Sequence, residues 1–170
     1  MITFFTTGGT FDKVYFDANS EFSIGDTQVS PILEEGNVTA EYQVKELLRK
    51  DSLEITDNDR AVIAQQVIDC ESSHIIITHG TDTMSDTAKV IAEACKHQSQ
   101  KKTIVLVGAM QPARLRVTDA PFNLGFALAA VQLLPADIYI AMNGNIFHHS
   151  NVTKNLSKAR FETLNNSVFP

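Results

Sequence analysis

The sequence contains no tryptophan, only two cysteines and no long apolar run. Cys70 and Cys95 are too few for the disulfide framework of a small secreted protein, and we expect both to be buried free thiols. No stretch of about 18 apolar residues is present, as a membrane span requires, and the first residues lack the basic and apolar regions of a secretory signal. We therefore expect a cytoplasmic protein with no membrane partner.

Basic residues are also scarce. There are 14 Lys and Arg against 20 Asp and Glu, a net charge of −6, and the longest basic run is the pair Lys101-Lys102. Such a chain lacks the cluster of basic residues that binds a phosphate backbone, and we expect no nucleic-acid partner. A length of 170 residues with 44% hydrophobic content suffices for one packed core and is short for two. We expect a single domain over residues 1–170.

Apolar periodicity alternates between strand and helix along the chain. It predicts strands for ITFFTT at 2–7, within 38–48, for HIIIT at 74–78, for TIVLVGAM at 103–110 and for DIYIAMNG at 137–144. It predicts helices at 57–70, where Thr56 and Asp59 suit a capping box, after a second capping pair of Thr83 and Asp86, and at 120–134. Residues 8–30 are predicted as a loop, and no element is predicted after Asn151.

This alternation predicts the fold class: α/β, a three-layer doubly wound (Rossmann-like or flavodoxin-like) domain with a mostly parallel sheet. In such sheets ligands bind at the carboxyl ends of the strands. Two hydroxyl-rich turns, TTGGT at 6–10 and THGTDT at 78–83, follow predicted strands, so we expect them to face one crevice. Neither a G-x-G-x-x-G nor a P-loop pattern occurs, and we expect no cofactor.

Thr10 in the first turn is a candidate nucleophile. Gly8 and Gly9 precede it and have no side chain to shield its hydroxyl, although the positive φ of a tight turn would alone explain both glycines. A hydroxyl becomes nucleophilic when a base takes its proton. Lys154 in NVTKN is a candidate base if desolvation keeps its amine neutral. A lone lysine is more often a solvated surface residue, and that alternative stays open here.

The second turn offers Thr81 as another hydroxyl and Asp82 as a carboxylate that could orient a substrate ammonium or a lysine. Asp82 and Thr83 also suit the N-terminal cap of the next helix, and the two roles are compatible.

Five histidines are present, at positions 74, 79, 97, 148 and 149, without the spacing of a metal motif. The adjacent His148 and His149 should point to opposite faces of an extended chain. We therefore expect no metal site, and we expect His79 to hold the backbone of the second turn.

Two motifs in one order narrow the function further. TGGT near the N-terminus and HGTDTM after the third predicted strand form the signature pair of the bacterial-type L-asparaginases, and this chain resembles that family over nearly its whole length. The segments GAMQPARLRVTDAPFNL, NVTK and KDSLEITDND also resemble the family. The resemblance implies a doubly wound N-terminal domain that hydrolyses the side-chain amide of asparagine to aspartate and ammonia, without metal or cofactor.

The resemblance also implies roles for individual residues. Thr10 matches the nucleophile of the first catalytic group. Thr81, Asp82 and Lys154 match the second group. Asp82 also matches the carboxylate that holds the substrate's α-amine, and Ser52 matches the serine that holds its α-carboxylate.

Further roles concern the turns and a flexible loop. Gly9, Gly80 and Thr81 are expected to line the substrate site, and backbone N–H groups of the turns are expected to stabilise an oxyanion. The family's loop tyrosine falls on Phe22, which has no hydroxyl, so Tyr15 is the candidate to replace it. Leu53 stands where the family usually has a polar residue.

The resemblance carries an expectation about assembly and an alternative function. The family has a second, smaller domain after a linker, and the sequence ends at Pro170, about where that linker begins, so we expect the N-terminal domain only. We expect a homodimer or higher homo-oligomer that covers the site and buries apolar residues of the final segment, namely Phe161, Leu164, Val168 and Phe169. The alternative to an enzyme is a non-catalytic amino-acid-binding module that kept the substrate cage.

Overall fold

The computed structural model describes residues 1–16 and 21–165. These residues form strands and helices in an alternating order, with short 3-10 turns at Thr10–Asp12 and Ser52–Glu54. In chain order, the elements are β1 (Ile2–Gly8), β2 (Lys13–Phe16), β3 (Glu21–Ile24), α1 (Val29–Glu35), β4 (Tyr42–Lys50), α2 (Asp57–Asp69), β5 (His74–Thr78), α3 (Met84–Cys95), β6 (Thr103–Val107), α4 (Ala120–Leu133), β7 (Ile138–Met142), β8 (Asn145–His148), β9 (Thr153–Asn155) and β10 (Arg160–Glu162).

The main sheet has six strands in the order β4-β1-β5-β6-β7-β8. The first five run parallel, and β8 pairs antiparallel with β7. The strand order reverses between β1 and β5, because the chain leaves β1 toward β4 on one side and then crosses to β5 on the other. Such a switch point opens a crevice at the carboxyl ends of the two strands. The predicted doubly wound, mostly parallel α/β fold is confirmed.

Two apolar layers enclose the sheet. Phe5, Ile75 and Ile77 pack in one layer with helices α2 and α3, whereas Phe4 and Ile76 pack in the other with α1 and α4. Neighbouring residues of one strand therefore enter opposite layers, as the period of two in a strand requires. Because both faces are covered, the central residues of β5, β6 and β7 are apolar, and this pattern predicts strands.

The region 8–30 differs from the loop that the sequence predicted. It contains the Thr10–Asp12 turn, an antiparallel hairpin of β2 and β3, and the start of α1. The two hairpin strands are only four residues long, too short for a clear periodicity. The strand predicted within 38–48 begins at Tyr42 and extends to Lys50 at the sheet edge, and the tail after Asn151 contains the β9–β10 hairpin.

The capping box of α2 is confirmed. The Thr56 hydroxyl accepts from the backbone N–H of Asp59 at 3.2 Å, and the Asp59 carboxylate accepts from the N–H of Thr56 at 2.8 Å. The corresponding prediction for α3 is wrong. Thr83 occupies the N-cap position without a capping bond, because its hydroxyl donates instead to the carbonyl of Ser52 at 2.8 Å.

Within the described part of the chain, no helix combines the length and the apolar content that crossing a bilayer requires. Cys70 and Cys95 are free thiols, as predicted, but both are half-buried rather than buried. Each lies at the C-terminal end of a helix, where part of the side chain reaches solvent.

Candidate active site

The two hydroxyl-rich turns meet at the switch point. Gly8 and Gly9 adopt φ values of 94° and 69°, a conformation that side-chain-bearing residues rarely adopt. A Cβ atom on Gly9 would lie 2.5 Å from Cα of Gly80, so only glycine permits this approach of the two backbones. Thr10, the next residue, is therefore held beside the turn that carries Thr81.

The backbone N–H of Gly9 is engaged in the sheet. Its backbone N–H donates to the carbonyl of Lys50 at 2.8 Å, because β1 and β4 are still paired there. An N–H group engaged in the sheet cannot also stabilise an oxyanion. Gly9 therefore acts through its lack of a side chain rather than as a donor.

Ser52 joins the second turn to the strand at the sheet edge. It is buried, its hydroxyl accepts from the N–H of Asp82 at 3.3 Å, and a Cβ on Gly80 would lie 2.6 Å from that hydroxyl oxygen. Together with the Thr83 bond to its carbonyl, these contacts fix the turn against the Ser52–Glu54 segment. The predicted neighbourhood of Ser52, Gly80 and Asp82 is present.

Lys154 lies in β9, 72 positions from Asp82, yet its side chain reaches the second turn. Its Nζ donates to the hydroxyl of Thr81 at 2.7 Å and to Oδ1 of Asp82 at 2.6 Å. The Lys154 side chain is 14% exposed and that of Asp82 is 37% exposed, so the ion pair is sheltered on the lysine side and open on the carboxylate side. The alternative that Lys154 is a solvated surface residue is therefore excluded.

Thr10 begins the 3-10 turn that follows Gly9 and is half-buried. Two residues on, Asp12 is buried and accepts from the backbone N–H of Gln28 at 2.9 Å. Burial raises the pKa of Asp12 to about 6, although hydrogen bonds from Gln28 and Thr27 oppose the shift. Asp12 ties the turn of Thr10 to the start of α1, a role that the sequence analysis missed.

His79 is fully buried inside the second turn. Its Nδ1 lies 2.7 Å from the carbonyl of Gly80 and its Nε2 lies 2.8 Å from the hydroxyl of Thr87, so Nδ1 donates and Nε2 accepts. Burial lowers the pKa of His79 to about 4 and keeps the ring neutral at pH 7. The structure agrees with the predicted role of holding the turn's backbone. Gly108, directly after β6, permits this packing, because a Cβ there would lie 2.5 Å from the His79 carbonyl oxygen.

Tyr15 and Phe22 lie opposite each other in the β2–β3 hairpin, with their rings 5.4 Å apart and edge-on. The tyrosine hydroxyl is thus carried on the same hairpin as the position matched to the family's tyrosine. Both rings are about half exposed, so their positions are set by this mutual contact rather than by the core.

A cleft of about 670 Å³ reaches Asp82 from the solvent. Charges of both signs line it, among them Lys13 and Asp51, whose Nζ and Oδ2 are 2.6 Å apart. Neither residue was a sequence candidate, although Asp51 lies within the segment KDSLEITDND. A larger cleft of about 810 Å³ lies at the opposite edge of the sheet, beside the starts of β6 and β7, and contains none of the predicted site residues.

Two further expectations are corrected. The rings of His148 and His149 do not point to opposite faces, because β8 ends at His148; their centroids are 4.3 Å apart. Phe161, in the β9–β10 hairpin, is buried against Phe147 of the main sheet and is not available to a partner, whereas Leu164 is exposed. The other two interface candidates, Val168 and Phe169, lie outside the described residues.

The strand order defines a doubly wound α/β domain, and the polar cluster lies at the carboxyl edge of its sheet, at the switch point. Comparison with known proteins identifies the family. The family model described as asparaginase, N-terminal, matches residues 1–169, and the chain belongs to this family.

Individual proteins similar to this chain are L-asparaginases. A probable periplasmic L-asparaginase of Haemophilus influenzae is 30% identical over 168 residues, covering 93% of this chain and 47% of that protein. L-asparaginase 2 of Escherichia coli is 31% identical over 180 residues, covering 96% and 49%. The thermostable L-asparaginase from Thermococcus kodakarensis superposes with a TM-score of 0.81 at 25% identity, covering 98% of this chain and 52% of that one. The chain thus spans about half the length of the curated relatives it matches.

Proposed function

We propose that this chain is an asparaginase-like amidohydrolase that converts L-asparagine, or a related small amide, to the acid and ammonia through Thr10. The observation that carries the proposal is the contact of Lys154 with Thr81 and Asp82 beside the turn of Thr10. A nucleophile, a proton relay and a carboxylate for the substrate's amine would then share one crevice.

Substrate binding would use the open side of this cluster. Oδ1 of Asp82 accepts from Lys154, and within residues 1–16 and 21–165 no hydrogen bond is made to Oδ2, which can accept from a substrate ammonium. The hydroxyl proton of Ser52 can be donated to the α-carboxylate. The neighbouring cleft carries both lysine and carboxylate charges, which suits a zwitterionic amino acid.

The reaction we propose has two stages. Oγ of Thr10 bonds to the amide carbon, the C–N bond breaks, and the Thr10 proton leaves with the amine as ammonia. Water then attacks the ester, the bond to Oγ breaks, and Thr10 regains a proton. The hydrogen-bonded chain of Thr81, Lys154 and Asp82 would relay these protons between Thr10, the departing amine and water.

The remaining proposed parts assist these steps. Since the N–H of Gly9 is engaged, the oxyanion would be stabilised by the N–H groups of Thr10 and Thr81, which donate no hydrogen bond within the described ranges. Gly80 would line the substrate site by letting the ligand approach the turn. Tyr15 would supply the hydroxyl that Phe22 lacks, since both are on one hairpin.

Self-association is part of the proposal. Leu53 is 74% exposed and Phe22 is half exposed, and both line the mouth of the cleft that reaches Asp82. A second copy packed there would cover this apolar surface and close the site. Light scattering coupled to gel filtration at micromolar concentration should show a dimer or larger species; a single species at 18.7 kDa contradicts this part.

Ammonia release from purified protein tests the function. We expect hydrolysis of asparagine, with glutamine and simple amides as comparison substrates, in a preparation from a host lacking its own asparaginases. Calorimetry with asparagine and aspartate runs beside it. Binding of these ligands without ammonia release from any amide would contradict the enzyme and favour the non-catalytic amino-acid-binding module.

A further inference from the structure

A second polar cluster lies far from the proposed active site. Asp137 precedes β7, and His148 and His149 end β8 and enter the turn that follows. One ligand atom from each lies within 4.8 Å of the other two, and all three side chains are half-buried. The cluster borders the 810 Å³ cleft at the amino ends of β6 and β7, so it belongs to the edge of the sheet opposite Thr10.

The two imidazoles converge on one carboxylate. Nε2 of His148 lies 3.3 Å from Oδ2 of Asp137, and Nε2 of His149 lies 3.8 Å from Oδ1. Zinc bonds to nitrogen and oxygen ligands are about 2.0–2.1 Å long, so tetrahedral ligand atoms are about 3.4 Å apart. The observed spacings bracket this value. Small side-chain rotations would bring all three atoms onto one ion.

The backbone and neighbouring groups hold the three residues in place. Tyr139, two residues after Asp137, pairs with His148 across the antiparallel β7–β8 ladder. The backbone N–H of His149 donates to the carbonyl of Ile138 at 3.1 Å. The N–H of Ile138 donates to Oδ1 of Asp137 at 2.7 Å. Ser150 contacts Nδ1 of His148 with two groups: its hydroxyl lies 2.7 Å from this nitrogen, and its backbone N–H donates to it at 3.3 Å. When Nε2 binds a metal, Nδ1 carries the ring hydrogen and donates to the Ser150 hydroxyl oxygen, the outer contact that orients a metal-bound imidazole.

We propose that Asp137, His148 and His149 form a binding site for a divalent transition metal such as Zn²⁺. Two imidazoles and one carboxylate are a donor set that suits zinc, cobalt and nickel rather than Mg²⁺ or Ca²⁺. Three protein ligands leave a fourth position open toward the cleft, for water or an anionic oxygen. Lys89, the nearby cation on α3, is exposed and 4.0 Å from Asp86, so solvent screens its charge from the site. The ion would pin the β7–β8 edge to the segment that leads to Lys154.

Titration calorimetry of the full chain, made without a polyhistidine tag and stripped with a chelator, tests the site with Zn²⁺ as probe. We expect one equivalent of Zn²⁺ to bind and Mg²⁺ not to bind. His148→Gln, His149→Gln and Asp137→Asn should each weaken zinc binding by more than about tenfold, since even outer-shell partners are worth 10–100-fold.

Two control variants sharpen the test. His97→Gln changes an exposed histidine, and Cys95→Ser removes the thiol that borders the same cleft; both should bind zinc as wild type does. Circular dichroism of each metal-free variant shows whether it folds. If a ligand variant does not fold, the ring nitrogen signals of wild-type His148 and His149 should shift on zinc addition while that of His97 does not. No zinc binding to wild type, or binding that the three ligand variants leave unchanged, overturns the site. Loss of binding in Cys95→Ser also overturns this ligand set.

Discussion

Replacing Lys154 by methionine removes the ammonium but keeps most of the apolar stem. The lost bond to Thr81 is a buried, charge-assisted hydrogen bond, a type worth about 1.5–3 kcal/mol. The lost pair with Asp82 contributes less, about 0–1 kcal/mol, because that carboxylate is more than a third exposed. The cost of desolvating the lysine offsets part of the stabilisation from the hydrogen bond and from the ion pair. We expect a loss of about 1–3 kcal/mol in the free energy of unfolding.

The expected loss of activity is larger. If Lys154 moves the proton of Thr10 or of water, Lys154→Met should lower kcat by about 10²–10⁴-fold, the usual worth of a general acid or base. Lys154→Arg keeps the positive charge but cannot act as a base, because guanidinium stays protonated. The arginine variant should therefore recover stability without recovering kcat.

Ammonia release and urea unfolding, measured on the same preparations, separate these effects. Lys158→Met is the matched control, since Lys158 belongs to the same β9–β10 hairpin but is exposed, and it should stay within about 0.5 kcal/mol of wild type at full activity. A wild-type kcat in Lys154→Met removes the lysine from the mechanism. A wild-type kcat in Lys154→Arg shows that it acts as a fixed charge only.

Four further predictions concern the same region. Asp82→Asn should weaken ligand binding by about 1.5–3 kcal/mol in calorimetry, because the amide cannot pair with an ammonium. Gly9→Ala should prevent or severely impair folding, measured by urea unfolding, since its Cβ would lie 2.5 Å from Gly80 at a φ of 69°. For His79, folding lowers the pKa from 6.5 to about 4, so between these values the unfolded chain binds a proton that the folded chain does not. The free energy of unfolding should therefore fall by about 3 kcal/mol as the pH falls from 6.5 to 4. For Asp12, the pKa is raised from 3.8 to about 6, so stability is lost as the pH rises from 3.8 to 6 and the full cost remains above pH 6. Asp12→Asn should therefore gain about 1–3 kcal/mol at pH 7 and nothing at pH 4.

Each of these predictions has a result that opposes it. Tight binding by Asp82→Asn would show that the amine is held elsewhere. Normal stability of Gly9→Ala would mean that the turns need not touch. If the stability difference between wild type and His79→Gln is the same at pH 7 and pH 4, the histidine does not titrate with folding. An Asp12→Asn variant that is less stable than wild type at pH 7 would show that its hydrogen bonds outweigh the burial of its charge.

The fold was predictable from local pattern because the central strands are buried on both faces. Runs such as HIIIT and TIVLV have no polar interruption, and the capping box at Thr56 marks a helix start. The β2–β3 hairpin was missed for the opposite reason. Its strands have four residues each. They are linked by a half-exposed ring pair, Tyr15 with Phe22, and an ion pair from Lys13 to Asp51 rather than by a periodic apolar face.

The site was only partly predictable. Thr10 and Asp82 lie shortly after strand ends, and the alternation of predicted strands and helices locates those ends. The contact of Lys154 with Thr81 depends on a chain reversal 73 positions away, and no local pattern specifies it. The engaged N–H of Gly9 likewise depends on how far β1 pairs with β4.

The prediction that His148 and His149 point to opposite faces was wrong because the strand ends at His148, so the period of two does not extend to His149. Asp137 lies 11 positions before His148, and only the β7–β8 ladder brings them together. Histidine spacing along the chain therefore could not predict the cluster.

The rate of ammonia release by Thr10→Ala tests the central claim most directly. We expect the wild-type protein to hydrolyse asparagine, Thr10→Ser to retain measurable turnover because it keeps a hydroxyl, and Thr10→Ala to lose turnover while still binding ligand and unfolding at the wild-type urea concentration. Wild-type rates from Thr10→Ala, in a preparation free of host asparaginase, would contradict the account.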